Sequence, residues 1–248
     1  SLSTNPDNLF AIGSSSGIVT LSGSLDYETA TSHDVIVTAA SLDGTSDVAT
    51  FKIDVTDVDE FNVSAISDTN DTNGGLDTLA EDASSGDEVG ITASASDADG
   101  TTNTVTYSLS SNPGNLFAIG SSSGIVTLSS TGSLDYETAT SHDIEVTATS
   151  ADTSTSTQSY TIAVTDVDEH DVSAVSDDDS NGNTLAEDAS SGDEVGITAS
   201  ASDADGTTNT ITYSLSSNPG NLFAIGSSSG IVTLSGSLDY ETATSHDV

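Results

Sequence analysis

Short runs in which apolar and polar residues alternate follow one another along the whole chain. Val, Ile, Leu, Tyr or Phe occupy one side of each run and Ser or Thr the other, as in residues 89–94, 104–109 and 143–149. A period of two residues predicts β-strands with one buried and one solvated face. Gly, Ser, Asn and Asp fill the short intervening segments, which predicts turns, and no stretch keeps a helical period. The pattern predicts an all-β protein.

The alternating runs place the strands. Strands are predicted over residues 9–12, 18–21, 34–38 and 49–55, and then over residues 63–66, 89–94, 104–109, 116–119, 124–128, 143–149 and 158–164.

The same pattern occurs three times along the chain. Residues 79–129 and 185–235 are identical except that Ile211 replaces Val105, and the tetrapeptide Leu-Asp-Tyr-Glu recurs at residues 25–28, 134–137 and 238–241. The spacing of about 100 residues fits one β-sandwich domain per copy. We therefore predict a partial domain with only C-terminal strands in residues 1–60, a complete domain in residues 61–169, and a partial domain with only N-terminal strands in residues 170–248. This organisation indicates either a section of a longer fibre or end fragments that neighbouring chains complete.

The charge balance changes the range of possible partners. The chain has 40 Asp and Glu residues against one Lys or Arg, which gives a formal net charge of −39. Phosphate recognition needs Lys and Arg, so nucleic acid is excluded as a natural partner, and anionic membrane surfaces are disfavoured. Self-repulsion of this size opposes a compact fold unless counter-ions bind. Cysteine is absent, so neither disulfides nor thiolate metal sites stabilise the chain.

Two acidic segments join predicted strands. The sequence Asp-Val-Asp-Glu occurs at residues 57–60 and again at residues 166–169, each time between two strand-like runs. Calcium takes six to eight oxygen ligands, mostly from carboxylates and carbonyls. We interpret both segments as calcium-binding hinges between β-domains, with a solvated acidic turn as the simpler alternative.

The order of the motifs in residues 79–169 is specific. Glu81 ends a Leu-Ala-Glu motif, Asp97-Ala-Asp-Gly precedes a strand with Asn103 close behind, and Phe-Ala-Ile, Gly-Ile, Leu-Asp-Tyr-Glu and Asp-Val-Asp-Glu follow in turn. This order resembles the cadherin repeat, and most closely the cadherin-like tandem repeats of large bacterial surface adhesins. The resemblance implies tandem Greek-key β-sandwiches, cadherin- or Ig-like, of about seven strands each. It also implies that calcium-binding junctions link these domains end to end.

The resemblance assigns calcium ligands by position, with about three Ca²⁺ ions at each junction. At the first junction the implied ligands are Asp26, Glu28, Asp57, Asp59, Glu60, Asp97, Asp99, Asn103 and Asp152. At the second junction they are Glu81, Asp135, Glu137, Asp166, Asp168, Glu169, Asp203, Asp205 and Asn209, with the carbonyl of Val167.

The chain departs from the animal family at two points. Asp-Val-Asp-Glu stands where the animal family has Asp-x-Asn-Asp-Asn, and no proline follows it. Tryptophan is absent, which removes the Trp-anchored strand exchange of some animal cadherins.

Two other motifs have alternative interpretations. Residues 177–182, with Asp188 at the twelfth position, mimic an EF-hand loop, although a polar turn explains them as well. Ser-His-Asp recurs at His33, His142 and His246, but neighbouring residues of a strand point to opposite faces, which rules out a catalytic triad. We predict surface histidines at the starts of strands there, and a surface position for His170.

These features predict a protein that is not an enzyme: an extracellular, calcium-rigidified stalk or fibre of a bacterial cell-surface adhesin. The expected partners are neighbouring repeats and other copies in trans, without nucleic acid or membrane insertion of this segment. The first alternative is a self-assembling filament subunit completed by strands from neighbouring chains. The second is an accessory or carbohydrate-binding module of a polysaccharide-degrading enzyme, for which a chain with 4% aromatic residues offers no aromatic platform.

Overall fold

The computed structural model describes residues 1–70 and 77–248. These residues form two compact units. The first comprises Ser1–Leu79, Ala83–Ser133 and His142–Ala163, and the second comprises Ala80–Asp82, Leu134–Ser141 and Val164–Val248. Apart from three short 3₁₀ turns (Pro6–Asn8, Pro113–Asn115 and Pro219–Asn221), the regular structure described is β-strand, as the sequence predicts. Within these residues no helix is long and apolar enough to cross a bilayer.

The first 60 residues form a three-stranded sheet and a separate hairpin. The strands are β1 (Leu2–Thr4), β2 (Phe10–Ile12), β3 (Val19–Leu21), β4 (Ser32–Ala40) and β5 (Ser46–Asp54). The sheet has the order β1-β4-β5, and β2 pairs with β3. Strands β4 and β5 pair antiparallel along their full length, from Ser32 opposite Asp54 to Ala40 opposite Ser46. Within β5, the Lys52 ammonium lies 2.5 Å from the Asp54 carboxylate.

The next 109 residues of the repeat contain two four-stranded sheets, so the predicted sandwich is present. Their orders are β10-β11-β8-β6 and β7-β13-β12-β9. The strands are β6 (Ser67–Asp68), β7 (Asp77–Ala80), β8 (Glu88–Ser94), β9 (Val105–Ser111), β10 (Phe117–Ile119), β11 (Ile125–Leu128), β12 (Ser141–Ser150) and β13 (Thr155–Thr165).

The core of this sandwich follows the period of two seen in the sequence. In β8 and β12 every second residue is buried, which brings Ile91, Ile144 and Val146 out of contact with solvent, and Val126 of β11 and Ile162 of β13 are buried as well. Burying each such side chain contributes on the order of 1.5–3 kcal/mol. The alternation therefore fixes both the register and the face that turns inward.

The last part of the chain forms one four-stranded sheet. Its strands are β14 (Ser176–Asp177), β15 (Glu194–Ser200), β16 (Phe223–Ile225) and β17 (Ile231–Leu234), in the order β14-β15-β17-β16. Its core consists of Val195, Phe223, Val232 and Leu234. The sheet repeats the order β6-β8-β11-β10 of the preceding copy.

An asparagine fixes the start of the Phe-Ala-Ile strand in each copy. The Asn112 side-chain amide donates to the Phe117 carbonyl oxygen (2.7 Å), and its Oδ1 accepts the Phe117 N–H (3.2 Å). Asn5 with Phe10 and Asn218 with Phe223 repeat both bonds. This pairing anchors each 3₁₀ turn to the strand that follows.

The three repeated histidines pack against these phenylalanines. The ring centroids lie 5.9 Å apart for Phe10 and His33, 6.1 Å for Phe117 and His142, and 5.8 Å for Phe223 and His246, all edge to face. Each histidine is half-buried. Each histidine is thus partly exposed at the surface and partly packed against an aromatic ring that the local sequence does not indicate.

Residues 63–66, predicted as a strand, form no ladder. Val63 and Ile66 are buried as the alternating pattern suggests, but the Val63 N–H donates to the Ser154 hydroxyl (2.9 Å) and the Ser64 N–H to the Ser96 carbonyl oxygen (2.7 Å). A side-chain acceptor and one isolated backbone bond hold this segment. The short strand β6 begins just after it.

Apolar side chains are exposed differently in the three copies. Leu21 is 53% exposed, whereas its counterparts Leu128 and Leu234 are almost fully buried. Val172 is 55% exposed, whereas its counterpart Val63 is buried. The same apolar position of the repeat thus has a different environment from copy to copy.

Candidate metal centres

The first junction is the segment 57–60 together with the carboxylates around it, all within the first unit. The segment follows β5, and side chains from three turns converge on it. One oxygen each of Glu28, Asp57 and Glu60 lies within 4.8 Å of the others. A second group within the same distance consists of Asp59, Asp99 and Asp152. The structure thus brings six of the predicted ligands of this junction into two groups.

Asp99 is the fully buried member of the first junction. Its Oδ1 accepts the backbone N–H groups of Glu60 (3.2 Å) and Phe61 (3.3 Å), while its Oδ2 is buried without a hydrogen bond. Asp57 Oδ1 and Asp97 Oδ2 are also buried and unpartnered. A buried carboxylate oxygen without a partner is costly unless a cation compensates it. Each of these oxygens is of the type that a hard cation prefers as a ligand.

The second junction, segment 166–169 and its surroundings, lies within the second unit and repeats this arrangement. One oxygen each of Glu81, Glu137, Asp166 and Glu169 lies within 4.8 Å of the others. Asp205 is buried, its Oδ1 accepts the N–H groups of Glu169 and His170 (3.2 Å each), and its Oδ2 is unpartnered. Asp166 Oδ1 is a further buried oxygen without a partner.

Backbone N–H groups hold the glutamates of the second junction in place. Glu81 Oε2 accepts the Tyr136 N–H (2.6 Å) and Glu81 Oε1 accepts the Val167 N–H (2.7 Å). Glu137 Oε1 accepts the Gly206 N–H (2.7 Å). These bonds order the carboxylates before any ion arrives, which lowers the conformational cost of binding.

A glycine lies against the tyrosine of the Leu-Asp-Tyr-Glu motif at each junction. A Cβ atom at Gly206 would come within 2.6 Å of the Tyr136 ring, and one at Gly100 within 2.6 Å of the Tyr27 ring. At both positions the absence of a side chain lets the acidic loop approach the motif that carries the glutamate ligand.

Comparison with known proteins identifies the family. The family model described as the cadherin domain matches residues 78–168 and 182–248. The chain belongs to the cadherin domain family. It is 35% identical to human protocadherin Fat 4 over 151 residues, which cover 59% of this chain and 3% of that protein. Mouse protocadherin Fat 4 is 34% identical over 152 residues, again 59% and 3%. The chain therefore spans a small part of the relatives it matches.

Solved cadherin structures share the fold. Human CDH23 EC21-23 superimposes with a TM-score of 0.72 at 22% identity, covering 96% of this chain and 74% of that one. The protocadherin GammaB4 extracellular domain gives 0.69 at 24% identity, covering 98% and 38%. The predicted all-β, tandem cadherin fold is confirmed. The relatives named are animal proteins, so the bacterial part of the prediction remains a prediction.

Crowding opposes the ionisation of four of these cadherin carboxylates. Loss of hydration, followed by repulsion from Glu28, raises the pKa of Glu60. Loss of hydration and repulsion from Glu81 and Glu137 raise the pKa of Glu169. Loss of hydration raises the pKa of Asp59, with further contributions from Asp99 and Asp152, and the contact with Asp205 raises that of Asp168. Only one cationic side chain exists in the sequence, so bound metal ions are the effective way to relieve this repulsion.

Several predicted ligands lie outside these groups. Asp26 and Asp135 each accept the backbone N–H three residues ahead, at 2.9 and 2.8 Å, which uses one oxygen in a local turn. Asp97 and Asp203 accept the N–H groups of Asp99 and Asp205. Asn103 and Asn209 are exposed. Their role as ligands stays a prediction.

One group of carboxylates was missing from the predicted ligands. Glu187, Asp239 and Glu241 have one oxygen each within 4.8 Å, and the Tyr240 N–H donates to Glu187 Oε2 (3.1 Å) just as Tyr136 does to Glu81. The cadherin motifs Leu-Ala-Glu and Leu-Asp-Tyr-Glu at residues 185–187 and 238–241 were the available signal. His170, predicted at the surface, is exposed and also lies with Glu137 and Glu169 in such a group.

The loop that mimics an EF-hand is a polar turn. Asp177 Oδ1 accepts the N–H groups of Thr198 (2.9 Å) and Asp179 (3.0 Å), and these bonds lower the pKa of Asp177. Asp179 Oδ1 accepts the Asn181 N–H (2.8 Å). Asp177 and Asp179 thus each use Oδ1 to accept backbone N–H groups, within the loop and, for Asp177, also from β15.

Proposed function

We propose that the chain is a calcium-rigidified stalk region of an extracellular adhesion protein. The observation that carries the proposal is the set of buried, unpartnered carboxylate oxygens of Asp57, Asp97, Asp99, Asp166 and Asp205 at two equivalent junctions. Calcium is the cation whose preferences these groups meet, because it accepts many oxygen ligands in variable geometry. When bound, Ca²⁺ supplies positive charge that neutralises and cross-links the carboxylates.

Different groups of residues at each junction would bind different ions. Some of the bound ions at each junction would be held by one group of carboxylates. This group is Glu28, Asp57 and Glu60 at the first junction, and Glu81, Glu137, Asp166 and Glu169 at the second. Asp59, Asp99 and Asp152 would hold others at the first junction. Asp99 and Asp205 also bind backbone N–H groups of the hinge segments, so they tie the loop after β8 or β15 to the hinge.

Rigidity is the proposed use of these sites. In the proposed organisation, residues 1–60, 61–169 and 170–248 belong to successive domains, and segments 57–60 and 166–169 connect them. The family matches at residues 78–168 and 182–248 support this division. With the carboxylates charged and uncompensated the hinges would bend, whereas neutralised carboxylates would restrict them. Near-identical neighbours suit a spacer, in which length matters more than a unique site.

The setting of this spacer is also a proposal. Membership of the cadherin family supports an extracellular adhesive role without catalysis, in which neighbouring repeats and other copies of the chain are the partners. The hinge sequence Asp-Val-Asp-Glu, which differs from the animal pattern, supports a bacterial surface adhesin. One of the solved neighbours, protocadherin gammaB7 EC3-6, is described as a cis-dimer.

Small-angle scattering and calorimetry of the 248-residue chain, with calcium and with chelator, test the proposal. Calcium should lengthen the particle and raise its melting temperature, by the equivalent of about 2.7 kcal/mol per site at 100 times the dissociation constant. Asp166→Ala with Asp168→Ala should remove the part of both effects that belongs to the second junction. Asp178→Ala with Asp188→Ala removes the same charge from the polar turn and should remove neither. Shape and stability that ignore calcium would refute the proposal.

A further inference from the structure

A threonine hydroxyl meets the first aspartate of each hinge. Thr101 Oγ1 donates to Asp57 Oδ2, and Thr207 Oγ1 donates to Asp166 Oδ2. We propose that these two threonines are positioning residues of the metal centres: each binds one oxygen of the hinge aspartate and so directs the other oxygen at the cation. This inference rests on the proposed calcium function and assigns a role to residues outside the predicted ligand set.

The state of the second oxygen supports this role. Asp57 Oδ1 and Asp166 Oδ1 are both buried and both lack a hydrogen-bond partner, although the other oxygen of each carboxylate is bonded. Each carboxylate is therefore divided into one oxygen that is held and one that is free. Asp57 and Asp166 each belong to one of the groups within 4.8 Å, so other carboxylates surround each of these side chains. The same division at two separate junctions argues against an accident of packing.

The residue before each threonine explains why the hydroxyl reaches the hinge. The N–H groups of Gly100 and Gly206 donate to Glu28 Oε1 (2.9 Å) and Glu137 Oε1 (2.7 Å), and each glycine lies under a tyrosine ring. The loop is thus fixed at its glycine, one residue away from the threonine. From this anchor a short hydroxyl side chain spans the remaining distance to the aspartate.

A threonine suits this task because it is neutral. A Lys or Arg at the same place would compensate the aspartate and compete with the cation, whereas a hydroxyl orients the carboxylate and leaves its charge available. Partners of this kind orient metal ligands, and their loss typically costs about 10- to 100-fold in metal affinity. Without the hydroxyl, the hinge aspartate would sample other rotamers and both of its oxygens would need a partner.

Calcium titration of the 248-residue chain, with Ca²⁺ itself as the probe, tests the proposal at the second junction. Thr207→Val keeps the shape of the side chain and removes the hydroxyl, and should weaken the second-junction sites by about 10-fold or more. Thr207→Ser restores the hydroxyl and should recover most of the affinity. Thr208→Val, at the neighbouring exposed threonine, is the matched control and should bind as the parent chain does. Thr101→Val should instead weaken calcium binding at the first-junction sites.

The melting temperature in chelator separates positioning from a merely structural role. A positioning residue predicts that Thr207→Val leaves this temperature within about 2 °C of the parent value, a shift below 1 kcal/mol for a chain of this size. The proposal is overturned if Thr207→Val binds calcium as tightly as Thr208→Val, if the serine variant fails to recover affinity, or if stability in chelator falls as much as stability in calcium. If the parent chain binds no calcium at all, the proposed function fails instead.

Discussion

Replacing Gly206 by alanine tests the close approach on which the second junction depends. A Cβ atom there would come within 2.6 Å of Cδ1 and Cε1 of Tyr136 and within 3.0 Å of Glu137 Oε1. Real Cβ contacts are not that short, so the loop or the ring must move. The glycine does not occupy the left-handed region of backbone conformation, so the effect of Gly206→Ala measures this contact alone.

The expected cost follows from overpacking. Extra methyl groups forced into a packed site typically cost about 1–3 kcal/mol. For a chain of this size, that lowers the melting temperature by about 2–12 °C, measured by scanning calorimetry in saturating calcium. Movement of the loop would also break the bond from the Gly206 N–H to Glu137, so calcium affinity at the second junction should fall with it.

Two variants make the test decisive. Gly182→Ala is the control, because the nearest atom to its new Cβ, Thr184 Oγ1, is 4.0 Å away. In a Tyr136→Ala background the ring is gone, so Gly206→Ala should then cost little. The reasoning is refuted if Gly206→Ala is as mild as Gly182→Ala, or if its full cost persists without the ring.

Three further predictions concern charge, protons and the core. Asp205→Asn should weaken calcium binding and also lower the melting temperature in chelator. Loss of hydration opposes the charge of Asp205, but the N–H groups of His170 and Glu169 outweigh it and lower the pKa of Asp205, so the fold favours the carboxylate; a higher melting temperature in chelator would contradict this reasoning. Between the ordinary carboxyl pKa of about 4 and the raised pKa values of Glu60 and Glu169, the folded state binds more protons than the unfolded state. In chelator, the stability measured by urea unfolding should therefore decrease as pH rises through this range. In saturating calcium the stability should increase with pH, because protons compete with the ion. Ile162→Ala should cost about 2–5 kcal/mol with or without calcium, and a cost that depends on calcium would argue against an independent core.

The sequence was sufficient where the relevant signal is local. The period of two in β8 and β12 located strands, and the buried positions are the ones the alternation selects, such as Ile91 and Val146. The hinge carboxylates were found because Asp-Val-Asp-Glu interrupts two strand-like runs at equivalent places. Asp57 and Asp166 lie in the groups of carboxylates that the motif order predicts.

Features that depend on residues far apart in the chain could not be predicted from the sequence. Residues 63–66 have strand-like composition, yet the partner of the Val63 N–H is a side chain far along the chain, Ser154, and no ladder forms. The role of Thr207 is equally invisible in a chain rich in threonine, because only the folded loop brings its hydroxyl to Asp166. The contact of His142 with Phe117 was not predicted either, because nothing nearby in sequence indicates that ring.

The position of Lys52 has a consequence for proteolysis. It is the single Lys or Arg in the sequence, so the bond after it is the one place where a protease of trypsin-like specificity could cut. That bond lies inside β5, paired with β4 along its whole length, and a paired strand must open before it can enter a protease cleft. The composition that leaves the chain with one cationic side chain thus also shields it from proteases of trypsin-like specificity.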